Sequence, residues 1–126
     1  MGLLTNSVSL IGRVGKYKEC KAFERGGMLC TINIGVKTGE KWNNLFIDFF
    51  NTKTRPLAEE VGEYVKEGEY LQIKGRLVEN KFTPKHLQGQ VDENGNPLTV
   101  SQTKIVGFDF KRVRYNEENE EWKLKN

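Results

Sequence analysis

The sequence predicts an all-β domain with one helix, built as a five-stranded Greek-key barrel. Three observations lead to this prediction. Several short segments alternate apolar and polar residues, one segment alone has helical periodicity, and turns rich in glycine and asparagine separate them. With 126 residues, the chain has room for one domain with a modest core.

The strands before the helix come first in the chain. Residues 8–14 read as a strand interrupted by Gly12, and a glycine inside a strand indicates a bulge or a sharp bend. Residues 17–23 and 28–37 flank a turn that contains Gly26 and Gly27, so they are predicted to form a hairpin.

The third strand, residues 45–50, is apolar on both faces. One face carries Leu45, Ile47 and Phe49, and the other carries Phe46, Asp48 and Phe50. Only one of these faces can be the core of a small one-sheet domain. The other face is therefore a candidate binding surface, or it is covered by the hairpin or by a second subunit.

One helix is predicted over residues 54–68, with Thr54 as its cap, Pro56 in its first turn and Gly68 at its end. Residues 70–77 then alternate as a half-buried strand. Residues 80–102 form a long hairpin around an Asn-Gly turn, and residues 103–113 supply the fifth strand. This order is that of the OB-fold, with its helix between strands three and four. The domain is predicted to span residues 1–115, and residues 116–126 to be a polar, disordered tail.

Composition and charge indicate which kind of partner and which cellular compartment to expect. The net charge is +3, and without residues 116–126 the chain has 18 basic and 13 acidic side chains, so a polyanionic partner is plausible. No apolar run approaches the roughly 18 residues of a membrane span, and no secretion signal is visible. We therefore expect a cytoplasmic protein without membrane contact, and Cys20 and Cys30 are expected to be reduced thiols.

Five segments together resemble the bacterial and phage-type single-stranded DNA-binding protein family. In order, they are N-S-V-S-L-I-G-R-V-G (6–15), T-I-N-I-G-V (31–36), F-I-D-F-F (46–50), L-A-E-E-V-G-E-Y-V-K-E-G (57–68) and L-Q-I-K-G-R-L (71–77). The resemblance covers residues 6–114. It implies an OB-fold protein that coats single-stranded DNA, without sequence specificity, during replication, recombination and repair.

The resemblance also implies partners. Family members commonly pair through the first strand, so a homo-oligomer, either a dimer or a tetramer, is expected. Many cellular members end in an acidic tail with a Pro-Phe tip that recruits repair enzymes, and the ending N-E-E-W-K-L-K-N does not match it. Recruitment through such a tip is not supported, which makes a phage, plasmid or otherwise specialised member attractive; a phage-encoded member would act in a host cytoplasm.

A binder of single strands needs flat aromatic side chains for bases and flexible cations for phosphates. The resemblance assigns base stacking to Phe46 and Phe82. By counting, the other family aromatic of the third strand falls at Thr52, and Phe50 is a candidate substitute on the same face. Asp48 lies between Phe46 and Phe50, where a carboxylate is not expected on a surface that binds phosphates. Trp42 is expected to stack from the loop between strands two and three. The candidate phosphate contacts are Arg13, Lys16, Lys37, Lys53, Lys74, Arg76, Lys81, Lys85 and His86.

Other functions remain open at this point. The same barrel suits a protein-interaction module, such as a primosome component or recombination mediator, and it also suits a binder of structured RNA. An enzyme is not expected, because no P-loop, nucleophile elbow or dinucleotide fingerprint occurs. His86 is the only histidine and has no ligand pattern around it, so no metal or other cofactor is expected.

Overall fold

A computed structural model describes residues 5–118 and 120–124. Within them the chain forms six strands, one α-helix and one turn of 3₁₀-helix. The elements are β1 (Val8–Ala22), β2 (Met28–Thr38), β3 (Lys41–Phe50), α1 (Leu57–Tyr64), β4 (Tyr70–Phe82), the 3₁₀ turn (Lys85–Leu87), β5 (Val100–Asn116) and β6 (Glu121–Leu124). No helix in this part of the chain is long and apolar enough to cross a membrane.

The sheet closes into a barrel. Its strand order is β3-β2-β1-β4-β5-β6, and β3 also pairs in parallel with β5 through Ile47 opposite Ile105 and Phe49 opposite Gly107. The predicted order of five barrel strands with the helix between β3 and β4 is confirmed. The sixth strand is an addition that the sequence pattern did not indicate.

β1 is long and pairs with two other strands of the barrel, β4 and β2. Val8 to Arg13 pair with β4, and the pairing with β2 begins at Arg13 and continues to Ala22. The register with β2 shifts between Val14 and Lys18. The bulge or bend was predicted at Gly12, but the irregularity comes later in the strand. A Cβ at Gly12 would overlap the Ile34 side chain, so the glycine allows β1 and β2 to approach closely there.

The core lies between the barrel wall and α1. Phe49 is its largest fully buried side chain, and its ring meets Phe110 edge-on at 5.9 Å. The remaining buried apolar residues that form this core are Val14, Cys30, Ile32, Ile34, Ile47, Leu57, Ala58, Val61, Val65, Leu71 and Ile73.

The helix is shorter than predicted. It begins at Leu57, and its first free amides, those of Ala58 and Glu59, donate to the Asn51 side chain at 2.8 and 3.3 Å. Asn51 therefore takes the capping role that we assigned to Thr54. The backbone is already extended at Val65, so the prediction that the helix reaches Gly68 is wrong.

Two apolar residues of β4 and β5 are exposed, although the alternation predicted Leu77 to point inward and made Phe108 available for packing. Leu77 is 47% exposed, and its partner Ile105 pairs with Ile47 of β3. Phe108 is 52% exposed, because the register shifts between Lys74 and Gly75 and leaves Phe108 as the extra residue of a bulge.

Cys20 and Cys30 are joined by a disulfide, which contradicts the expectation of two reduced thiols. The residues lie directly opposite each other on β1 and β2. Facing residues of an antiparallel pair bring their Cβ atoms close to the separation that a disulfide spans. The expectation was based on the predicted compartment, because the sequence alone does not show that the two cysteines face each other.

Residues 116–126 were expected to form a disordered tail, and the structure differs within them. Glu121–Leu124 form β6, which pairs with Val113–Asn116 of β5. Trp122 explains the attachment, because its ring centre lies 5.2 Å from those of both Tyr70 and Tyr115. An aromatic in a polar segment thus gives that segment a packing site on the barrel.

Lys18 stabilises the end of α1 from another element. Its ammonium donates to the carbonyls of Gly62 and Val65 at 2.8 and 3.0 Å, and α1 has no basic residue in its own last turn. Carbonyls at a helix C-terminus lack partners within the helix and carry partial negative charge.

We expect Lys18→Met to lower the free energy of unfolding by about 1 kcal/mol, because both carbonyls lose a charged donor. Denaturant unfolding followed by circular dichroism measures this change. Lys21→Met is the matched control, since the Lys21 ammonium lies 3.9 Å from the exposed carboxylate of Glu19 and not at the end of α1. Equal stability of the two variants would contradict the capping role.

Candidate nucleic-acid interface

The outer face of β3 carries the exposed aromatics. Ile47 and Phe49 point into the core and are fully buried, whereas the alternate residues Trp42, Phe46 and Phe50 are 53%, 55% and 39% exposed. The alternation of β3 therefore places one apolar set in the core and presents the other to solvent. The two-faced pattern predicted for this strand is present.

A groove of about 550 Å³, here called the β3 groove, runs over this outer face. The β1–β2 hairpin contributes Tyr17 and Lys21 to it, β3 contributes Phe46 and Asp48, and β5 contributes Lys104. Aromatic rings and ammonium groups thus line one cleft. This combination suits a strand that carries bases and phosphates alternately.

Tyr17 fixes the surroundings of Phe46. The two rings meet edge-to-face with centres 5.4 Å apart, and the Tyr17 hydroxyl donates to Glu19 at 2.5 Å. The hydrogen bond to Glu19 raises the pKa of Tyr17, and burial and the Glu19 charge add to the rise. The phenol therefore stays neutral and keeps one edge of Phe46 covered while its outer surface remains accessible.

Asp48 lies between Phe46 and Phe50 on the same face, where a carboxylate was unexpected. Its Oδ1 accepts a hydrogen bond from the Thr31 hydroxyl at 2.7 Å, and its Oδ2 lies 3.8 Å from the Lys104 ammonium. Its side chain is 13% exposed. The charge is thus partly balanced by a lysine that β5 brings to the groove.

A second groove of about 320 Å³ adjoins the first and is called the Trp42 groove. Arg13 and Lys16 line it from β1, and Asn44, which also lines the β3 groove, connects the two. Trp42 was expected in a loop but is the second residue of β3, opposite Lys37 of β2. Its ring covers Gly35, where a Cβ would lie 3.3 Å from the ring.

Another group of candidates lies along the β4–β5 arm. Phe82 is the last residue of β4 and is 40% exposed, and Lys85 and His86 follow in the 3₁₀ turn. Lys81 lies 3.8 Å from Glu79. Phe82 is four residue pairs beyond Val78, the partner of Lys104, and hence about 13 Å further along the arm. These residues do not line the β3 groove, and they lie further along the arm than the residues that do.

The remaining candidates lie elsewhere. Phe50 ends β3 opposite Leu29, which lines the β3 groove, and Lys53 follows in the bend before α1. Lys74 and Arg76 are exposed on β4, and Lys74 faces Ser9 and Asp109. Neither residue lines the two grooves described above.

Sequence reasoning missed five residues that line these grooves, and they fall into three groups. Tyr17 and Lys21 follow the outward alternation of β1, which was not extended past the first strand segment. Lys104 reaches the site only through the pairing of β3 with β5. A wider groove of about 910 Å³ joins Trp42 to Tyr70 and Trp122, and the latter had been placed in a disordered tail.

Removing the Glu19 charge tests the Tyr17 contact. We expect Glu19→Gln to lower the pKa of Tyr17 towards the ordinary value of about 10, because the carboxylate that disfavours the phenolate is gone. The stabilisation from this contact is present below that pH and is lost as pH rises through the folded pKa. An NMR titration of the tyrosine rings measures the shift, with Tyr17→Phe for assignment. An unchanged pKa would contradict the contact, and Glu79→Gln, on the arm, is the control.

Known structures of proteins that are distant in sequence have the same fold as this chain. The structure of a Plasmodium falciparum SSB complex with ssDNA matches with a TM-score of 0.67 at 16% identity, covering 90% of this chain and 99% of that one. A mitochondrial single-stranded DNA-binding protein of S. cerevisiae matches with a TM-score of 0.60 at 15% identity, covering 86% and 96%. At these identities the likeness establishes the OB-fold.

Sequence comparison establishes the family. The single-stranded DNA-binding protein of Thermosynechococcus vestitus is 37% identical over 107 residues, which cover 84% of each chain. That of Neisseria meningitidis serogroup A is 29% identical over 109 residues, and the match spans 81% of this chain but 60% of the relative. The profile of the Single-strand binding protein family matches residues 5–106. The chain belongs to the Single-strand binding protein family.

Proposed function

We propose that this protein binds single-stranded DNA without sequence specificity and coats it during replication, recombination and repair. The observation that carries the proposal is the β3 groove, which exposed Phe46 lines together with two lysines from other strands, Lys21 and Lys104. Family membership supports the same conclusion, since the relatives reported above are named for binding single-stranded DNA.

The mechanism combines stacking with charge neutralisation. Bases stack on Phe46 and Trp42, and each stacked base contributes about 1–3 kcal/mol. Phosphates pair with Arg13 and Lys16 beside Trp42 and with the lysines of the β3 groove. Beyond the barrel, Phe82 and the basic residues that follow β4 hold the next part of the strand.

The protein acts by binding alone, without a catalytic step or a cofactor, and residues 1–115 hold the whole binding surface. We propose that it works in the cytoplasm, or in a host cytoplasm if a phage encodes it. These proposals rest on the family and on the absence of catalytic motifs from the sequence. Recruitment of other enzymes through an acidic tip is not part of the proposal.

A homo-oligomer, a dimer or a tetramer, completes the proposal. The β1–β2 register begins at Arg13, so the segment from Val8 to Gly12 is paired with β4 along one edge only. An edge of unpaired backbone groups is a template for another strand. A second copy of β1 is the partner that this family favours.

Titration of the protein with oligo-dT, oligo-dA and a matching duplex, followed by the fluorescence of Trp42 and Trp122 over a salt series, tests the proposal. We expect tight, single-strand-selective quenching that weakens with salt by roughly 0.7 ions per phosphate contact. Equal affinity for duplex would contradict it. Weak, salt-insensitive binding would instead favour a protein-interaction module, for which Trp42, Tyr70 and Trp122 would form the docking surface.

Truncating the stacking residues tests the assigned face. We expect Phe46→Ala and Phe82→Ala each to weaken binding of oligo-dT by about 1–3 kcal/mol without unfolding the domain, because both rings are exposed. Phe108→Ala is the matched control, since Phe108 is an exposed phenylalanine on the β5 bulge and lines neither groove. Normal affinity in both folded variants would contradict the assignment.

A further inference from the structure

The β3 groove has a carboxylate in a position that a simple phosphate-binding cleft would not favour. Two carboxylates line the groove, Glu19 and Asp48. Glu19 is on the wall, where it accepts from the Tyr17 hydroxyl and lies 3.9 Å from Lys21. Asp48 is different, because it lies on β3 itself, two residues from the exposed ring of Phe46.

The contacts of Asp48 leave it able to accept more hydrogen bonds. Oδ1 accepts one from the Thr31 hydroxyl at 2.7 Å, and Oδ2 is 3.8 Å from the Lys104 ammonium, which is an ion pair longer than a hydrogen bond. An ionised carboxylate offers about four acceptor sites. The Thr31 hydroxyl therefore fixes the orientation of the carboxylate while acceptor capacity remains.

The spacing along β3 matches the dimensions of a stacked base. Residues two apart on one face of a strand are separated by about 6.6 Å. A base stacked on Phe46 extends sideways from the ring by a comparable distance, so its edge reaches the level of Asp48. The carboxylate then meets whichever groups that edge presents.

The bases differ at that edge in a way a carboxylate detects. Cytosine and adenine each present an exocyclic amino group, and guanine presents an amino group beside a ring N–H. The one ring N–H of thymine lies between two carbonyl oxygens, which repel a carboxylate. An acceptor at this position therefore favours the amino-bearing bases.

We propose that Asp48 is a specificity-determining residue of the β3 groove, which accepts a hydrogen bond from the amino group of the base stacked on Phe46. Strands of amino-bearing bases then bind more tightly than strands of thymine. The inference rests on the proposed function. The protein would still bind strands of any sequence, but with a preference for amino-bearing bases at this position. Thr31 orients the carboxylate, and Lys104 offsets its repulsion of the phosphates.

Binding of oligo-dC and oligo-dT of equal length tests the inference, at mildly alkaline pH where oligo-dC remains unstructured. We expect the wild-type protein to bind oligo-dC about fivefold more tightly, the equivalent of one hydrogen bond. Asp48→Asn is expected to bring the ratio close to one, because an amide offers a donor as well as an acceptor. The affinity for both strands should rise as a negative charge is lost.

Glu63→Gln is the control, since it removes an exposed carboxylate on α1, and Glu63 lines neither of the two grooves. It is expected to leave the ratio of oligo-dC to oligo-dT affinity unchanged. Thr31→Val provides a second variant, which removes the orienting hydroxyl and should reduce the ratio while the carboxylate remains. A thermal melt of each variant establishes that it is folded.

The outcomes separate this inference from the function on which it rests. If Phe46→Ala weakens binding but neither Asp48→Asn nor Thr31→Val changes the ratio, then Asp48 has a structural role and the inference is overturned. If the wild-type protein prefers oligo-dT, the inference is also overturned. Failure of the wild-type protein to bind either strand would contradict the proposed function itself.

Discussion

Closure of the barrel between β3 and β5 is the constraint on which the rest of this structure depends. The Phe49 ring lies against Gly107, where a Cβ would overlap it, so the two strands approach closely only because position 107 has no side chain. The same pairing brings Ile105 beside Ile47 and, just before it in the chain, Lys104 beside Asp48. The core and the floor of the candidate site are therefore set by one contact between strands.

Much of the fold was accessible to sequence reasoning because the strands of a small barrel carry clear alternation. The two apolar faces of β3 predicted both its buried residues and its exposed aromatics. The helix was located but its start was not, because the capping side chain, Asn51, lies outside the segment with helical periodicity. Leu77 and Phe108 are exposed although both follow the apolar alternation, and the bulge at Phe108 could not be predicted from that alternation.

The residues of the candidate site also fall into two groups, those that the sequence identified and those that only the structure shows. Phe46 and Trp42 follow from local pattern and from the resemblance, and both rings are exposed beside basic residues. Lys104 comes to β3 through the pairing of β3 with β5, which is not encoded locally, so no motif identified it. Tyr17 was missed because the outward alternation of β1 was not followed into the hairpin. The sequence raised Asp48 as a difficulty, and only the positions of Thr31 and Lys104 give that residue a chemical context.

The same closure has a kinetic consequence. Ile47 and Ile105 lie 58 positions apart in the chain, and contacts between such distant residues form slowly, because a long loop must be ordered first. During synthesis β5 is among the last elements to leave the ribosome. The hairpin of β1 and β2 can pair early, but the groove over β3 acquires its second wall only when nearly the whole chain is available. Folding and competence to bind a strand are thus expected to appear together, in the last step.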